Sequence, residues 1–244
     1  NTFLTVYRHE FINVLLSIFS ISHFRFESKM NIDPLLLIGQ GSPELQGDGY
    51  ALVPDAHLAF QEMSAAAEKQ GIKIIIVSSY RSFERQKQIW NKHFSNYKKH
   101  EVSDEQAALK IIQYSTIPGT SRHHWGTEID IIDAKPKMEG DVLLTHKFHD
   151  QGPYNELRLW MESNANQYGF YLPYTPDEKR SGFKYEPWHY SFAPLSRKMI
   201  KQYLTLDRPE MIATAGLGGS DLLDENYLKN YTDSHILGID PILL

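Results

Sequence analysis

Two short stretches of the chain carry the residue types that bind a catalytic metal ion. Residues 121–130, SRHHWGTEID, place two adjacent imidazoles before a glycine and the carboxylate of Asp130. Residues 186–190, EPWHY, carry Glu186 three positions before His189. Two imidazoles and one carboxylate are sufficient protein ligands for a catalytic zinc ion, with a fourth position left for water. Because a further glutamate beside that water could carry a proton, the sequence predicts a zinc-dependent hydrolase.

The residues alone leave the choice of the first imidazole ligand open. His123 can meet Asp130 if Gly126 lets the backbone double back before the next strand, and His124 is the rival ligand. Neighbouring side chains in extended backbone point in opposite directions, so we do not expect both histidines to bind one ion.

The second motif predicts a change of backbone direction. Pro187 argues against a helix interior, and on a regular strand Glu186 and His189 would face opposite ways. We therefore expect a turn or a strand start between them, with Glu186 projecting toward the metal-bound water while His189 binds. Taken singly, each of these residues is more often an ordinary surface or core side chain, and only the combination of both stretches favours a metal site.

Composition excludes several other classes of protein. The 244 residues include no cysteine, so thiolate metal sites, disulfides and cysteine nucleophiles are excluded. A formal net charge of −5 without a dense basic run gives no support to a nucleic-acid partner. A hydrophobic share of 41% is ample for a packed core.

The pattern of helices and short strands, without regular alternation, predicts an α+β fold. We expect a small antiparallel sheet flanked by helices, with the zinc site on the open face of the sheet. Strands are predicted over 72–77 (as a central strand), 128–133, 170–172 and within 183–192. Helices are predicted over 54–70, from about 83 to 97, 103–114, 154–168 and 194–206, with a further one over 221–230.

Three regions follow from this pattern. Residues 1–30 contain an apolar run, 11–21, which is too short to span a bilayer and favours an export signal, with a buried element of the domain as the alternative. Residues 31–206 form the predicted zinc hydrolase domain, and 207–244 are a C-terminal extension without an assigned role. An export signal predicts a periplasmic or cell-envelope location.

The two motifs together resemble a known family. Ser121-x-His123-x-x-Gly126-x-x-x-Asp130, followed by the EPWH of 186–189, resembles the VanY-type D-alanyl-D-alanine carboxypeptidases, which are zinc peptidases related to lysostaphin-like enzymes and to the hedgehog signalling domain. Residues 79–86, SYRSFERQ, look like that family's Ser-Gly-Tyr-Arg-Ser-Tyr-x-x-Gln segment. The resemblance covers roughly residues 50 to 192.

The resemblance implies roles for individual residues. The implied ligands of one Zn²⁺ ion are His123, Asp130 and His189. The resemblance thus selects His123 over His124 as the first imidazole ligand. It also implies that Glu186 is the catalytic base. The resemblance also makes Arg81 a catalytic residue that contacts the substrate carbonyl or carboxylate. Four further residues match positions on the substrate side: Tyr80, Gln86, Ser121 and Trp188.

Two positions depart from the family pattern. The family usually has a small residue where Glu128 stands, so an extra carboxylate is expected to face the site and alter substrate preference. Ser79 replaces a glycine, a change expected to matter less.

The implied activity is removal of the C-terminal D-alanine from peptidoglycan stem peptides, a D,D-carboxypeptidase reaction, which makes the stem peptide the expected partner. Alternatives on the same core are L,D-carboxypeptidase, D-Ala-D-Ala dipeptidase and L-Ala-D-Glu endopeptidase activities. A non-catalytic, zinc-bearing binding module is the alternative of a different class; the presence of Glu186 and Arg81 favours an enzyme.

Overall fold

A four-stranded antiparallel sheet with helices around it organises the computed structural model, which describes residues 32–113, 115–207 and 216–244. The strands are β1 (Ile74–Ser78), β2 (Glu128–Asp133), β3 (Phe170–Tyr171) and β4 (His189–Phe192). The α-helices of the described residues are α1 (Pro34–Leu37), α2 (Pro54–Lys69), α3 (Phe83–Lys98), α4 (Asp104–Ile111), α5 (Asn155–Asn164), α6 (Ala193–Tyr203) and α7 (Glu225–Tyr231). The predicted α+β class is confirmed, whereas the apolar run 11–21 lies outside the described residues.

The strand order is β1-β2-β4-β3, and all three pairings are antiparallel. The prediction of a central strand over 72–77 is therefore wrong, because β1 is an edge strand whose one partner within the described residues is β2. Its β-branched residues fit a pleated strand, but Val77 is 39% exposed where the strand borders a cleft. The central strands are β2 and β4, which carry two of the three predicted metal ligands.

Two hydrophobic clusters hold the helices against the sheet. In the first, Ile129 and Ile131 of β2 pack with Phe60 of α2 and Trp160 of α5. The second cluster joins α3, α6 and the C-terminal residues, and includes Trp90, Ile200, Leu228, Tyr231 and Leu243. The indole nitrogen of Trp90 also donates a hydrogen bond to the carbonyl of Gly218, 3.0 Å away. Residues 216–244 are thus packed into the core.

Several element bounds differ from the sequence expectation. The helix expected over 154–168 ends at Asn164 and continues as a 3-10 helix, Ala165–Tyr168. The strand expected within 183–192 begins only at His189. The connection between β2 and α5, residues 134–154, contains a 3-10 helix, Thr145–Phe148, whose Phe148 is fully buried. Within the described part of the chain, no helix has the length and apolar character needed to cross a bilayer.

Candidate metal centre

Strands β2 and β4 present four polar side chains on one face of the sheet. Asp130 lies directly opposite His189, and Glu128 lies directly opposite Ser191. Because side chains alternate along a strand, these four share a face, and the intervening residues point into the hydrophobic core. The sheet register therefore fixes one imidazole and one carboxylate as close neighbours.

A tight turn delivers the second imidazole. Residues Arg122–Trp125 form a 3-10 helix, which ends at Gly126 with φ of 66° in the left-handed region. A Cβ at position 126 would lie 3.1 Å from side-chain atoms of both Leu45 and Val53, which would have to shift slightly. The left-handed conformation itself favours glycine. The expected reversal of the chain at Gly126 is confirmed, and it places His123 above Asp130.

His123, Asp130 and His189 form a buried group whose ligand atoms all lie within 4.8 Å of one another. His123 Nε2 is 3.3 Å from Asp130 Oδ2, and His189 Nδ1 is 3.2 Å from Asp130 Oδ1. Tetrahedral ligands at zinc distances would be about 3.4 Å apart. His123 Nε2 and Asp130 Oδ1 are also buried without a hydrogen-bond partner. Both the donor set and these two unpaired atoms fit a zinc ion.

The remaining ring nitrogens orient the two imidazoles. His123 Nδ1 donates to the carbonyl oxygen of Ser79 at 2.7 Å, which leaves Nε2 directed at Asp130. His189 Nε2 contacts Glu128 Oε2 at 2.9 Å, which leaves Nδ1 directed at the group. Outer partners of this kind fix the tautomer of a ligating histidine.

His124 does not belong to this group. Its Nδ1 donates to the carbonyl oxygen of Arg81 at 2.6 Å, and its Nε2 accepts from the amide of Gly119 at 3.1 Å. Burial lowers the pKa of His124 to about 3 and keeps the ring neutral. The extended-backbone argument was wrong, because His123 and His124 lie in a 3-10 helix; the separation of their roles comes instead from these two hydrogen bonds.

The electrostatics of the group favour a cation. Burial and the nearby Arg81 lower the pKa of His123 to about 4. Burial alone would lower the pKa of His189, but Asp130, Glu128 and Glu186 raise it to about 10. Burial would raise the pKa of Asp130, yet the two imidazoles and Arg81 hold it below its usual range. Carboxylates that attract a proton onto a buried imidazole can also attract a metal ion.

Glu186 stands at the edge of the group with its side chain 20% exposed. The amide of His189 donates to the carbonyl of Glu186 at 3.2 Å, which closes a turn immediately before β4. The expected turn between these residues is therefore confirmed. Glu186 Oε2 lies 3.3 Å from His189 Nδ1, and the Glu186 amide donates to the carbonyl of Tyr174 at 3.1 Å. The carboxylate can thus reach both the metal group and solvent.

Arg81 leaves the end of β1 and points across the site. Its Nη2 lies 3.7 Å from Asp130 Oδ2, and its Nη1 donates to Gln86 Oε1 at 3.1 Å. Gln86 is fully buried, and its amide donates to Ser115 Oγ at 3.0 Å and to the carbonyl of Thr116 at 2.9 Å. Gln86 therefore lies behind Arg81 and holds the guanidinium in place; its direct contact with substrate stays a prediction.

Two adjoining cavities give access to the site. A cleft of about 730 Å³ is bounded by Tyr80, Arg81, Glu186 and Trp188, with apolar side chains of β1 and of residues 143–144 along its walls. An inner cavity of about 40 Å³ lies beyond Glu186, and Ser121 forms part of its wall. Tyr80 and Trp188 thus face the cleft, and Ser121 faces the inner cavity.

The inner cavity also contains residues that the sequence did not single out. Thr116, Arg122 and Tyr174 line it, and both Thr116 Oγ1 and Arg122 Nη1 are buried without a hydrogen-bond partner. Thr116 and Tyr174 lie in loops, where no periodicity marks a residue as part of a site. Arg122 directly precedes His123 in the sequence, and this neighbourhood was the one sequence feature that could have marked it as part of the site.

Glu128 does not face the cleft, contrary to the expectation of an extra carboxylate exposed to substrate. It is fully buried behind His189 and forms an ion pair with Arg122, with Nη2 to Oε1 at 3.3 Å. Burial would raise the pKa of Glu128, but Arg122 and hydrogen bonds from His189 and Ser191 lower it to about 2. Glu128 is therefore an ionised partner of a metal-ligand candidate.

A small antiparallel sheet with a buried His-Asp-His group, a partly exposed glutamate and an open cleft is an arrangement suited to metal-assisted hydrolysis. The sequence model of the VanY family, described as D-alanyl-D-alanine carboxypeptidase, matches residues 50–195, which is more than half of the chain. The chain belongs to this peptidase family.

Curated relatives agree with this assignment. The chain is 30% identical over 150 residues to a D-alanyl-D-alanine carboxypeptidase of Enterococcus faecalis. The aligned region covers 60% of this chain and 51% of the relative. It is 31% identical over 138 residues to the bifunctional D-Ala-D-Ala dipeptidase and D-Ala-D-Ala carboxypeptidase VanXYC of Enterococcus gallinarum. That aligned region covers 55% of this chain and 64% of the relative. The chain thus matches less than two thirds of the length of each.

Solved structures show the same fold. VanYB in complex with D-alanine-D-alanine superposes with a TM-score of 0.51 at 26% identity, over 72% of this chain and 91% of the other. A VanY D,D-pentapeptidase mutant of the VanB-type resistance cassette, in complex with Zn(II), gives a TM-score of 0.50 at 26% identity, over 76% and 92%.

Proposed function

We propose that the chain is a zinc-dependent D,D-carboxypeptidase that removes the terminal D-alanine from peptidoglycan stem peptides. The observation that carries this proposal is the convergence of His123, Asp130 and His189, with Glu186, which lines the cleft, only 3.3 Å from His189 Nδ1. Related proteins bound to D-alanine-D-alanine and to Zn(II) support the choice of substrate and of metal.

A zinc ion held by the three ligands would supply an acidified water and polarise the scissile carbonyl. Glu186 would take a proton from the attacking water and pass it to the nitrogen of the departing D-alanine as the peptide bond breaks. Its partly exposed position between the metal group and the cleft suits both transfers.

Arg81 would supply the second positive charge. Its guanidinium borders both cavities, and Gln86 fixes its direction. From this position it would stabilise the negative charge that develops on the carbonyl oxygen, a contribution of about 3 kcal/mol for one well-placed donor. Arg81 also lines the inner cavity, so a free terminal carboxylate of the substrate bound there would lie beside its guanidinium. An arginine fork is suited to bind a carboxylate.

A second reaction on the same core is D-Ala-D-Ala dipeptidase activity, which the VanXYC relative combines with carboxypeptidase activity. The cleft of about 730 Å³ favours a longer peptide over a free dipeptide, because a dipeptide would leave most of it unfilled. A non-catalytic binding module is disfavoured, since such a module has no need of Glu186 beside the ligands.

The substrate also determines where the protein would act. Peptidoglycan stem peptides lie outside the cytoplasmic membrane, so we place the working enzyme in the periplasm or cell envelope. Export can be tested by fractionating cells that express the whole chain, with an antibody against residues 216–244.

Muropeptides of defined stem length test the proposed reaction. We expect release of D-alanine from pentapeptide stems, inhibition by a chelator, and recovery when zinc is restored. Release of the dipeptide D-Ala-D-Ala would indicate a dipeptidase, and release of D-alanine from tetrapeptide stems an L,D-carboxypeptidase. If the zinc-loaded protein leaves every muropeptide intact, the proposed function is wrong.

A further inference from the structure

The buried carboxylate of Glu128 contacts the outer side of His189. Glu128 Oε2 lies 2.9 Å from His189 Nε2, the ring nitrogen that points away from Asp130. Glu128 Oε1 accepts hydrogen bonds from Ser191 Oγ at 2.7 Å and from Thr127 Oγ1 at 3.0 Å. These contacts follow from the sheet register, because Glu128 is diagonal to His189 across β2 and β4.

The two imidazoles of the metal group are supported differently. His123 is oriented by a neutral backbone carbonyl, that of Ser79. His189 is oriented by a full carboxylate. A carboxylate that accepts the outer N–H of a ligating histidine fixes the ring orientation and makes the inner nitrogen a stronger donor. With Nε2–H donated to Glu128, the neutral imidazole of His189 presents the Nδ1 lone pair to the metal.

Arg122 allows this carboxylate to be buried. Its Nε and Nη2 each lie 3.3 Å from one oxygen of Glu128, and Nη2 also donates to Ser191 Oγ at 2.6 Å. The guanidinium stacks 4.7 Å from the ring of Trp125. Since Arg122 and Glu128 are oppositely charged and paired, the carboxylate supports His189 without adding net negative charge to the group.

We propose that Glu128, held by Arg122, is a positioning residue that fixes His189 with Nδ1 toward the metal and thereby sets the zinc affinity. This inference rests on the proposed zinc site. It also gives the departure from the family pattern at position 128 a role in metal binding instead of substrate choice.

Zinc titrations of purified variants test the proposal. Glu128→Ala should raise the dissociation constant for zinc by about 10- to 100-fold, and Glu128→Gln, which keeps an acceptor oxygen but no charge, by less. The matched control is Asp133→Asn, which removes a buried carboxylate of the same strand that accepts hydrogen bonds from the backbone amides of Lys73 and Lys135. This control should leave zinc affinity unchanged.

A second variant covers the case in which Glu128→Ala does not fold. Because Arg122 would remain buried without its carboxylate, the double variant Glu128→Ala with Arg122→Met removes both charges. It should bind zinc as weakly as Glu128→Ala. The Nε2–H proton of His189 should give a downfield, slowly exchanging NMR signal in zinc-loaded wild type and in Asp133→Asn, and not in either Glu128→Ala protein.

The outcomes separate this proposal from the proposed function. If Glu128→Ala, or the double variant in its place, binds zinc as tightly as Asp133→Asn, Glu128 is not a positioning residue. If wild type binds zinc and the Glu128 variants weaken it while no muropeptide is cleaved, the positioning role holds and the proposed reaction fails. If wild type binds no zinc, both are overturned.

Discussion

Asp130 and His189 are direct cross-strand partners on β2 and β4, and the register of the sheet sets the 3.2 Å between Oδ1 and Nδ1. Two of the three candidate metal ligands therefore belong to the central strands of the sheet. His123 comes from a short 3-10 helix, and its position depends on the turn at Gly126. This difference determines which substitutions should disturb metal binding and which should disturb only the reaction.

Glu186→Gln should keep zinc and lose turnover. Glutamine is isosteric but cannot take a proton from water, and loss of a general base typically costs about 10²- to 10⁴-fold in rate. The measurement is D-alanine release together with zinc content, with the exposed Glu178→Gln as control. A Glu186→Gln enzyme close to wild type would remove Glu186 from the base role.

His123→Ala should abolish stoichiometric zinc binding, whereas His124→Ala should not. The two ring nitrogens of His124 are used by Arg81 and Gly119, so its removal should instead lower the free energy of unfolding by about 1–3 kcal/mol. Zinc analysis after dialysis and thermal unfolding separate the two effects. The reverse result would exchange the roles of the two histidines.

Arg81→Ala should lower kcat/KM by about 10²- to 10³-fold while zinc remains bound, because the guanidinium is a donor to charge on the substrate. Comparing a stem peptide with its C-terminal amide identifies the contact: if Arg81 binds the carboxylate, wild type should prefer the acid and Arg81→Ala should not. Undiminished kcat/KM in this variant would exclude Arg81 from catalysis.

Gly126→Ala should destabilise the protein and weaken zinc binding together. The left-handed backbone costs about 1–2 kcal/mol for a residue with a Cβ, and here that Cβ would also press on Leu45 and Val53. Gly140→Ala is the matched control, since its φ is 61° and no atom lies within 4 Å of the added Cβ. Both should lose some stability, but only Gly126→Ala should lose zinc affinity.

The fold class could be predicted because the period of β2 and the spacing around Gly126 are local patterns in the chain. That spacing brought one of two adjacent histidines near Asp130, and the family resemblance was needed to choose His123 over His124. The edge position of β1 was not visible, because β-branched residues indicate a strand without saying how many neighbours it has.

Other features depend on contacts between distant residues. The orientation of His123 by the Ser79 carbonyl, and the burial of Glu128 against Arg122, both require the tertiary structure. The packing of residues 216–244 on α3 depends on the same kind of contact, as the bond from Trp90 to Gly218 shows. The sequence of a strand does not show whether a single charged side chain in it faces a cleft or a buried arginine.

Crystals of the zinc-loaded protein, measured at the zinc absorption edge, test the central claim most directly. The account predicts a single anomalous peak about 2.0–2.2 Å from His123 Nε2, His189 Nδ1 and a carboxylate oxygen of Asp130. A peak bound by His124, or none within reach of these three side chains, would contradict it.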